Sequence, residues 1–310
     1  MDENTKKLFN EGFYETKEDV YCLEEFCFCG QNRKYKYSCK NLIDNIDGEI
    51  GINEQYQSYS KRNLDQIRMW SPKNFKLEST TVWSFPNRGS WATHNSRYRG
   101  NWSPYIPRNL ILRYTEKDDI VLDQFLGSGT TLIETKLLAR HGIGVDINDR
   151  AIEIAKRNTS FDKMIKYEPK VYKGDARNLS FIKDSSIDLI CTHPPYSNII
   201  KYSEDLDGDL SHLDVSPFIH EIKKVANESY RVLKGNGHCA ILMGDIRRNK
   251  HIIPLGFYVM QKFIESGFVL KDMAIKKQHN CKSDCFWYGR SVKYNFLLIA
   301  HEYIFIFRKP

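Results

Sequence analysis

No run of eighteen apolar residues occurs in this 310-residue chain, so nothing in it reads as a membrane-spanning helix. The opening stretch MDENTKKLFNEGF has neither a signal-peptide core nor a membrane anchor, and a cytoplasmic address is expected. The eight cysteines are dispersed and none is paired as Cys-x-x-Cys. Neither Cys22, Cys27, Cys29 and Cys39 nor the group His279, Cys281 and Cys285 has the spacing of a structural zinc site, so no metal is expected. Cys191 and Cys239 lie in apolar runs and read as reduced, buried thiols. Internal repeats and low-complexity tracts are absent as well.

Acidic residues are scarce in one window. Residues 61–110 carry nine Lys and Arg against only Asp65 and Glu78, and hold four of the five tryptophans, Trp70, Trp83, Trp91 and Trp102. Two readings are open for this stretch: phosphate neutralisation combined with base stacking, or a basic surface over a Trp-rich local core. A second basic excess, eight against three, falls in 271–310.

From about residue 105 short apolar runs alternate with amphipathic stretches. DIVLDQF (119–125), IGVDI, KVYKGDA, SIDLICT, GHCAILMGD and FVLKDMAIKK read as strands. LGSGTTLIETKLLARHG, ending at Gly142, NDRAIEIAKRNTS, capped by Asn148 or Asp149, SPFIHEIKKVANESYRVLK and PLGFYVMQKFIESG read as helices. Upstream, TKEDVYCLEEF reads as a short helix. The last two runs, YNFLLIA and YIFIFRK, suggest a terminal antiparallel hairpin. Alternation of this kind implies an α/β fold with a doubly wound, mostly parallel sheet.

Three successive strand ends carry chemistry. Asp123-Gln124-Phe125-Leu126-Gly127-Ser128-Gly129-Thr130 is a glycine turn between strand and helix, where a ligand can approach the backbone. It lacks the third glycine of the dinucleotide fingerprint and the Gly-Lys-Ser/Thr of a P-loop. Asp146, 17 residues after Gly129, ends the next strand, where a carboxylate can accept both hydroxyls of a ribose. Asp175 ends the third and could accept from an adenine amino group. Each acid alone is more simply a cap or turn residue, but the three together favour a nucleoside ligand. The fourth strand stops at His193-Pro194-Pro195-Tyr196, a stiff corner at the edge where α/β sheets bind ligands.

These motifs resemble, in sequence, the S-adenosylmethionine-dependent DNA amino-methyltransferases, which methylate cytosine N4 or adenine N6. LDQFLGSGTT is similar to the family's cofactor loop, GVDIN to its ribose-binding strand end, GDARN to its adenine-binding turn and THPPY to its catalytic Asp/Asn/Ser-Pro-Pro-Tyr tetrad. NWSPYIPRNLILRY, with Trp102 and Ser103, resembles the segment closing over the methionine end. The motif order resembles the family's gamma arrangement. The resemblance spans about residues 83–310 and implies a seven-stranded Rossmann-like catalytic domain over 81–310. Residues 1–80 form an N-terminal extension, a candidate target-recognition or DNA-contact lobe, since the chain stops soon after YIFIFRK.

The resemblance implies S-adenosylmethionine as cofactor, on Trp102, Ser103, Asp123, Phe125, Gly127, Gly129, Thr130, Asp146, Ile147, Asp175 and Ala176. It implies a base extruded from double-stranded DNA. Tyr196 stacks on that base, while the Pro194 carbonyl and residue 193, with Pro195 stiffening the corner, accept from its amine. His193 stands where the family has Asp, Asn or Ser, and it can accept only as the neutral imidazole in the right tautomer. Activity is then expected to fall as pH drops through the imidazole pKa, ~6.5 when unperturbed. Thr192 before the tetrad inclines the reading to cytosine N4, with adenine N6 next, in a restriction–modification setting with a cognate endonuclease as candidate partner. An RNA amino-methyltransferase and a catalytically silent nucleic-acid-binding subunit are the alternatives. DNA contact is expected from 61–110 and from the loops at 197–214 and 277–291.

Overall fold

A computed structural model describes residues 67–280 and 284–310. The helix expected at TKEDVYCLEEF and the cysteines at 22, 27, 29, 39 and 281 lie outside the described residues, as does the Cys285 side chain. The chain divides into two compact units, one holding 61–277 with 301–310 and the other 1–60 with 278–300.

The first unit is built on an eight-stranded sheet of order β4-β3-β2-β5-β6-β10-β9-β1. Its strands are β1 (Val82–Ser84), β2 (Ile120–Asp123), β3 (His141–Asp146), β4 (Lys170–Lys173), β5 (Ile187–Thr192), β6 (Leu233–Met243), β9 (Val269–Lys277) and β10 (His301–Arg308). A short ribbon, β7 (Ile246–Arg248) with β8 (His251–Ile253), stands apart from the sheet. β4, β3, β2, β5 and β6 run parallel, while β10 is antiparallel to both β6 and β9. The expected doubly wound sheet is present, with β1 added parallel to β9 as an eighth strand.

Two details differ from the sequence reading. The antiparallel partner of YIFIFRK is the run FVLKDMAIKK, not YNFLLIA, and 294–300 form no strand. Both edges of β10 are taken by β6 and β9, so no ladder is left for a further run to join. The helix after the glycine turn, α2 (Thr130–Leu137), also ends early. Ala139 takes the left-handed conformation (φ 60°), which breaks the helix, and Gly142 falls inside β3.

Alternation along the strands builds two cores. Tyr303, Phe305 and Phe307 of β10 join Cys239, Ile241 and Met243 of β6 on one face. There they meet Phe218, Ile222 and Val225 of α4 (Val215–Val232) and Val259 and Phe263 of α5 (Leu255–Glu265). The intervening residues Ile304, Ile306, Ala240 and Leu242 face the other way, against Ile106, Leu110 and Ile111 of α1 (Tyr105–Tyr114) and Trp83. Helices on both faces leave ligands only the sheet's ends, and the chain reverses its order between β2 and β5.

Glu134 on α2 is fully buried and accepts from Trp91 Nε1 (2.7 Å), His94 Nε2 (2.7 Å) and Arg108 Nη1 (2.8 Å). Three donors satisfy a carboxylate that burial alone would penalise, and they pin residues 91–108 to α2. Gly129 precedes α2 at φ 84°, and a Cβ there would sit 3.1 Å from Ala155 Cβ and 3.2 Å from its Cα. Ala155 belongs to α3 (Asp149–Thr159), which Asn148 caps by accepting from the Arg150 N–H at 2.9 Å. Gly129→Ala is therefore expected to cost roughly 1–2 kcal/mol in urea unfolding, from the left-handed φ alone, with crowding of α3 adding to it.

In the second unit the described element is α6 (Asp284–Lys293), where Arg290 lies 4.0 Å from the Phe286 ring centroid. Among the described residues no helix is long and apolar enough to cross a membrane.

Candidate active site

The carboxyl ends of β2, β3, β4 and β5 open into one cleft of about 800 Å³, its open mouth included. Its floor is the glycine turn, with Gly127 at φ 50° and Gly129 at φ 84°. The turn is stitched to β3: Leu126 N–H donates to the Val145 carbonyl (3.0 Å) and Gly127 N–H to Asp146 Oδ2 (2.8 Å). Asn148 N–H takes Asp146 Oδ1 at 2.9 Å. Burial raises the Asp146 carboxyl to about 6, although these backbone donors pull the other way. Each oxygen keeps acceptor capacity for a ligand hydroxyl.

Asp123 is buried at the end of β2 and its carboxyl is also raised to about 6 by burial. It accepts from Thr131 Oγ1 (2.5 Å) on α2, Thr192 Oγ1 (2.8 Å) on β5 and the Phe125 N–H (3.1 Å). One carboxylate thereby ties the glycine turn to the strand that ends in the tetrad. Thr192 spends its hydroxyl on this bond.

The cleft gathers most of the residues expected from the sequence: Trp102, Asp123, Phe125, Gly127, Asp146, Ile147, Asp175, Ala176, His193 and Pro195 all line it. Ser103, Gly129, Thr130, Pro194 and Tyr196 do not. Ser103 Oγ donates to the Arg88 carbonyl (2.8 Å), Gly129 precedes α2, and the buried Thr130 donates to Asn101 Oδ1. They support the walls from behind. Asp175 is gripped by Arg177 Nε at 3.0 and 2.9 Å from its two oxygens.

Pro194 is buried, and the Tyr196 ring packs against Gly244, where a Cβ would meet it at 2.8 Å. His193 Nε2 lies 3.0 Å from Tyr196 Oη, which donates to Glu302 Oε1 at 2.8 Å. Lys276 Nζ holds the other Glu302 oxygen at 2.8 Å. Burial opposes ionisation of Glu302, yet the Lys276 charge and these hydrogen bonds hold its carboxyl below the ordinary value. His193 also stacks on Trp102, with ring centroids 5.6 Å apart. Burial lowers its imidazole to about 4, so the acid limb expected near an ordinary histidine value moves well below it.

Two straps contribute cleft residues that the sequence reading did not assign to the cofactor site. Tyr98, Gly100 and Asn101 line the cleft from one side and Tyr202, Gly208 and Asp209 from the other. They meet, with Tyr98 stacked on Tyr202 at 6.2 Å and no room at Gly100 for a Cβ beside Tyr202 Oη. Gly100 and Gly208, glycines within polar stretches, both take positive φ in the structure. The strap at 197–214 was expected to meet DNA. It carries five acidic residues against Lys201, and Tyr202, Gly208, Asp209 and Leu210 within it line the cleft.

The tryptophans were offered as stacking groups, but Trp83, Trp91 and Trp102 are at most 5% exposed. The local-core reading holds for them. Arg88 is likewise turned inward, donating to the Asn101 and Trp102 carbonyls at 2.6 and 2.5 Å.

The cleft fits a nucleoside cofactor. Gly127 brings turn backbone to the cleft, Asp146 offers paired acceptors, and Gln124, another lining residue, has a buried Oε1 with no hydrogen-bond partner among the described residues. Among the described residues no group of three or more His, Cys, Asp or Glu is placed to hold a metal ion.

Comparison with known proteins agrees with this geometry. Residues 4–157 and 187–310 match the DNA methylase family model, and 110–235 match a methyltransferase domain described as RMKL-like. The first match takes in the N-terminal stretch, for which the sequence reading offered no resemblance. Curated relatives include a tRNA (guanine(10)-N2)-dimethyltransferase of Methanothermobacter thermautotrophicus, 35% identical over 32% of this chain and 29% of that protein. Type II methyltransferase M2.MboI of Moraxella bovis is 37% identical over 27% of this chain and 31% of that protein. Type II methyltransferase M.HpaI of Haemophilus parainfluenzae is 37% identical over 38% of this chain and 33% of that protein. The chain thus spans about a third of the length of these relatives. Among solved structures, TrmN of Thermus thermophilus aligns at 17% identity over 68% of this chain and 50% of that one, with a TM-score of 0.48. With the family model matched over most of its length, the chain belongs to the DNA methylase family of S-adenosylmethionine-dependent amino-methyltransferases.

Proposed function

We propose that this protein methylates the exocyclic amino group of a base extruded from double-stranded DNA, cytosine N4 before adenine N6, in a restriction–modification setting. The observation that carries the reading is the opening of His193 and Pro195 into the same cleft as Gly127, Asp146 and Asp175. When bound there, S-adenosylmethionine supplies a methyl group activated by its sulfonium. Asp146 would hold the ribose hydroxyls, Asp175 and Ala176 the adenine, and Trp102 and Phe125 the remaining walls.

His193 and the Pro194 carbonyl accept hydrogen bonds from the target amine, turning its nitrogen lone pair out of conjugation with the ring. That is positioning and electrostatic stabilisation with no covalent intermediate. Tyr196, anchored through its hydroxyl, forms a wall for the base. The preference for cytosine rests on the resemblance of THPPY to that branch, since the Thr192 hydroxyl is engaged by Asp123.

DNA contact falls to exposed basic groups beside the cleft, Arg97 and Arg99 on the first strap and the tip of the β7–β8 ribbon. Asn249 and Lys250 both take positive φ there, the signature of a tight hairpin turn, which presents Arg248, Lys250 and His251 outward. Arg248 reaches Asn198, two residues beyond the tetrad. Residues 1–80 are proposed to add target contacts. Replacing Arg97 and Arg99 together by Ala is expected to flatten the plot of log affinity against log salt by about two units, near 0.9 per phosphate contact. An unchanged slope removes the first strap from the interface.

A second reading has a specific support, the relative named as a tRNA (guanine(10)-N2)-dimethyltransferase, because that target is also an exocyclic amine. Expression in a methylation-free host followed by long-read mapping of DNA, with nucleoside analysis of RNA, tests both. Modified cytosine or adenine at a fixed DNA motif supports the proposal. Modified RNA with unmodified DNA replaces it, and no modification of either favours a silent binding subunit.

A further inference from the structure

The residue that departs from the family tetrad is attached to a polar chain running back into the sheet. Lys276 on β9 and Glu302 on β10 are directly opposite in the antiparallel ladder, and Lys276 Nζ donates to Glu302 Oε2 at 2.8 Å. Tyr196 Oη donates to Glu302 Oε1 at 2.8 Å, and His193 Nε2 is 3.0 Å from the same hydroxyl oxygen.

The donors in this chain can be counted. An ionised carboxylate only accepts, and a tyrosine hydroxyl has one proton. With that proton directed to Glu302, the oxygen of Tyr196 can only accept from His193, so Nε2 must carry the imidazole proton. The other nitrogen, Nδ1, is then the unprotonated one, and it makes no hydrogen bond among the described residues while His193 lines the cleft. Trp102, stacked on the imidazole, restricts the ring flip that would exchange the two nitrogens.

We propose that Tyr196, Glu302 and Lys276 act as positioning residues that hold His193 with its proton on Nε2, leaving the Nδ1 lone pair as the acceptor for the target amine. What Nδ1 meets rests on the proposed function; which nitrogen carries the proton rests on the geometry alone. An aspartate or serine at this position presents an acceptor without help, whereas a histidine presents one only in one tautomer. The relay supplies that condition.

The test is ¹⁵N NMR of the full chain labelled at its nine histidines, without substrate, at neutral pH. His193→Asn assigns the His193 signals by their loss. The expected result is a pyridine-type Nδ1 and a pyrrole-type Nε2. A pyrrole-type Nδ1 in the wild type overturns the inference, whatever the activity. Tyr196→Phe and, as a second variant with an altered acceptor, Glu302→Gln are expected to admit the other tautomer. Glu302→Gln should also lower kcat about tenfold or more with cofactor affinity unchanged. A wild-type tautomer in both variants removes the relay. The expected tautomer without methylation of any nucleic acid would overturn the proposed function and leave the relay standing.

Discussion

Asp146→Ala is expected to weaken S-adenosylmethionine binding by roughly a hundredfold or more, because two hydrogen bonds to a charged acceptor are lost at ~1.5–3 kcal/mol each. Calorimetry reads the affinity, and thermal unfolding checks that the fold survives. The wild-type pH dependence carries the same information. Burial raises the Asp146 carboxyl to about 6, so the acceptor form is complete only above that value. Affinity is expected to be level above pH 7 and to fall about tenfold per unit below 6, where an unperturbed aspartate would still be ionised.

The sign for stability is opposite. A folded-state value raised above the unfolded one means the group favours the native state most below its unfolded pKa, and that contribution is lost as pH rises through 6. The cofactor-free protein therefore bears a cost at neutral pH that ligand hydroxyls relieve. Binding near pH 6 should release a fraction of a proton, which calorimetry in buffers of different ionisation enthalpy detects. Affinity unchanged in Asp146→Ala, or level down to pH 4.5, would remove Asp146 from the cofactor site.

The second large effect concerns His193. His193→Ala is expected to lower kcat by about 10²–10³ with cofactor affinity within a few-fold of wild type, the pattern of an interaction used on the way to the transition state. His193→Asp and His193→Ser restore acceptors of the family type and should keep measurable turnover. The groups facing the ring are Trp102, Tyr196, Glu302, Lys276 and Arg88. Burial outweighs the opposing pull of Glu302 and lowers the imidazole to about 4. Since the folded value lies below the ordinary one, the neutral acceptor form persists as pH falls through 6.5 and is lost only near 4. The acid limb of the wild-type rate at saturating cofactor should thus show no inflection at 6.5. An inflection there that disappears in His193→Asp would mean that the ring is solvated in the working enzyme. Wild-type turnover by His193→Ala would leave the Pro194 carbonyl and Tyr196 to account for the chemistry.

Much of this protein was legible along the chain because its determinants are local. Successive residues within β6 and β10 point to opposite faces of the sheet, and both cores follow that parity. The glycine turn, Asp146, Asp175 and the Pro-Pro corner each end a strand, so a sheet with parallel strands brings them to one edge without further instruction. What the tertiary structure alone decided depends on partners far apart in sequence. Trp91 belongs to the core because Glu134, 43 positions away, takes its N–H, and composition cannot distinguish that from a stacking platform. YNFLLIA has strand character but finds both edges of β10 filled, a matter of competition for one ladder. Glu302 stands 106 positions from Tyr196 and meets it only because β10 inserts antiparallel beside β6. The proton position on His193 therefore follows from sheet register, and no reading of THPPY by itself could supply it.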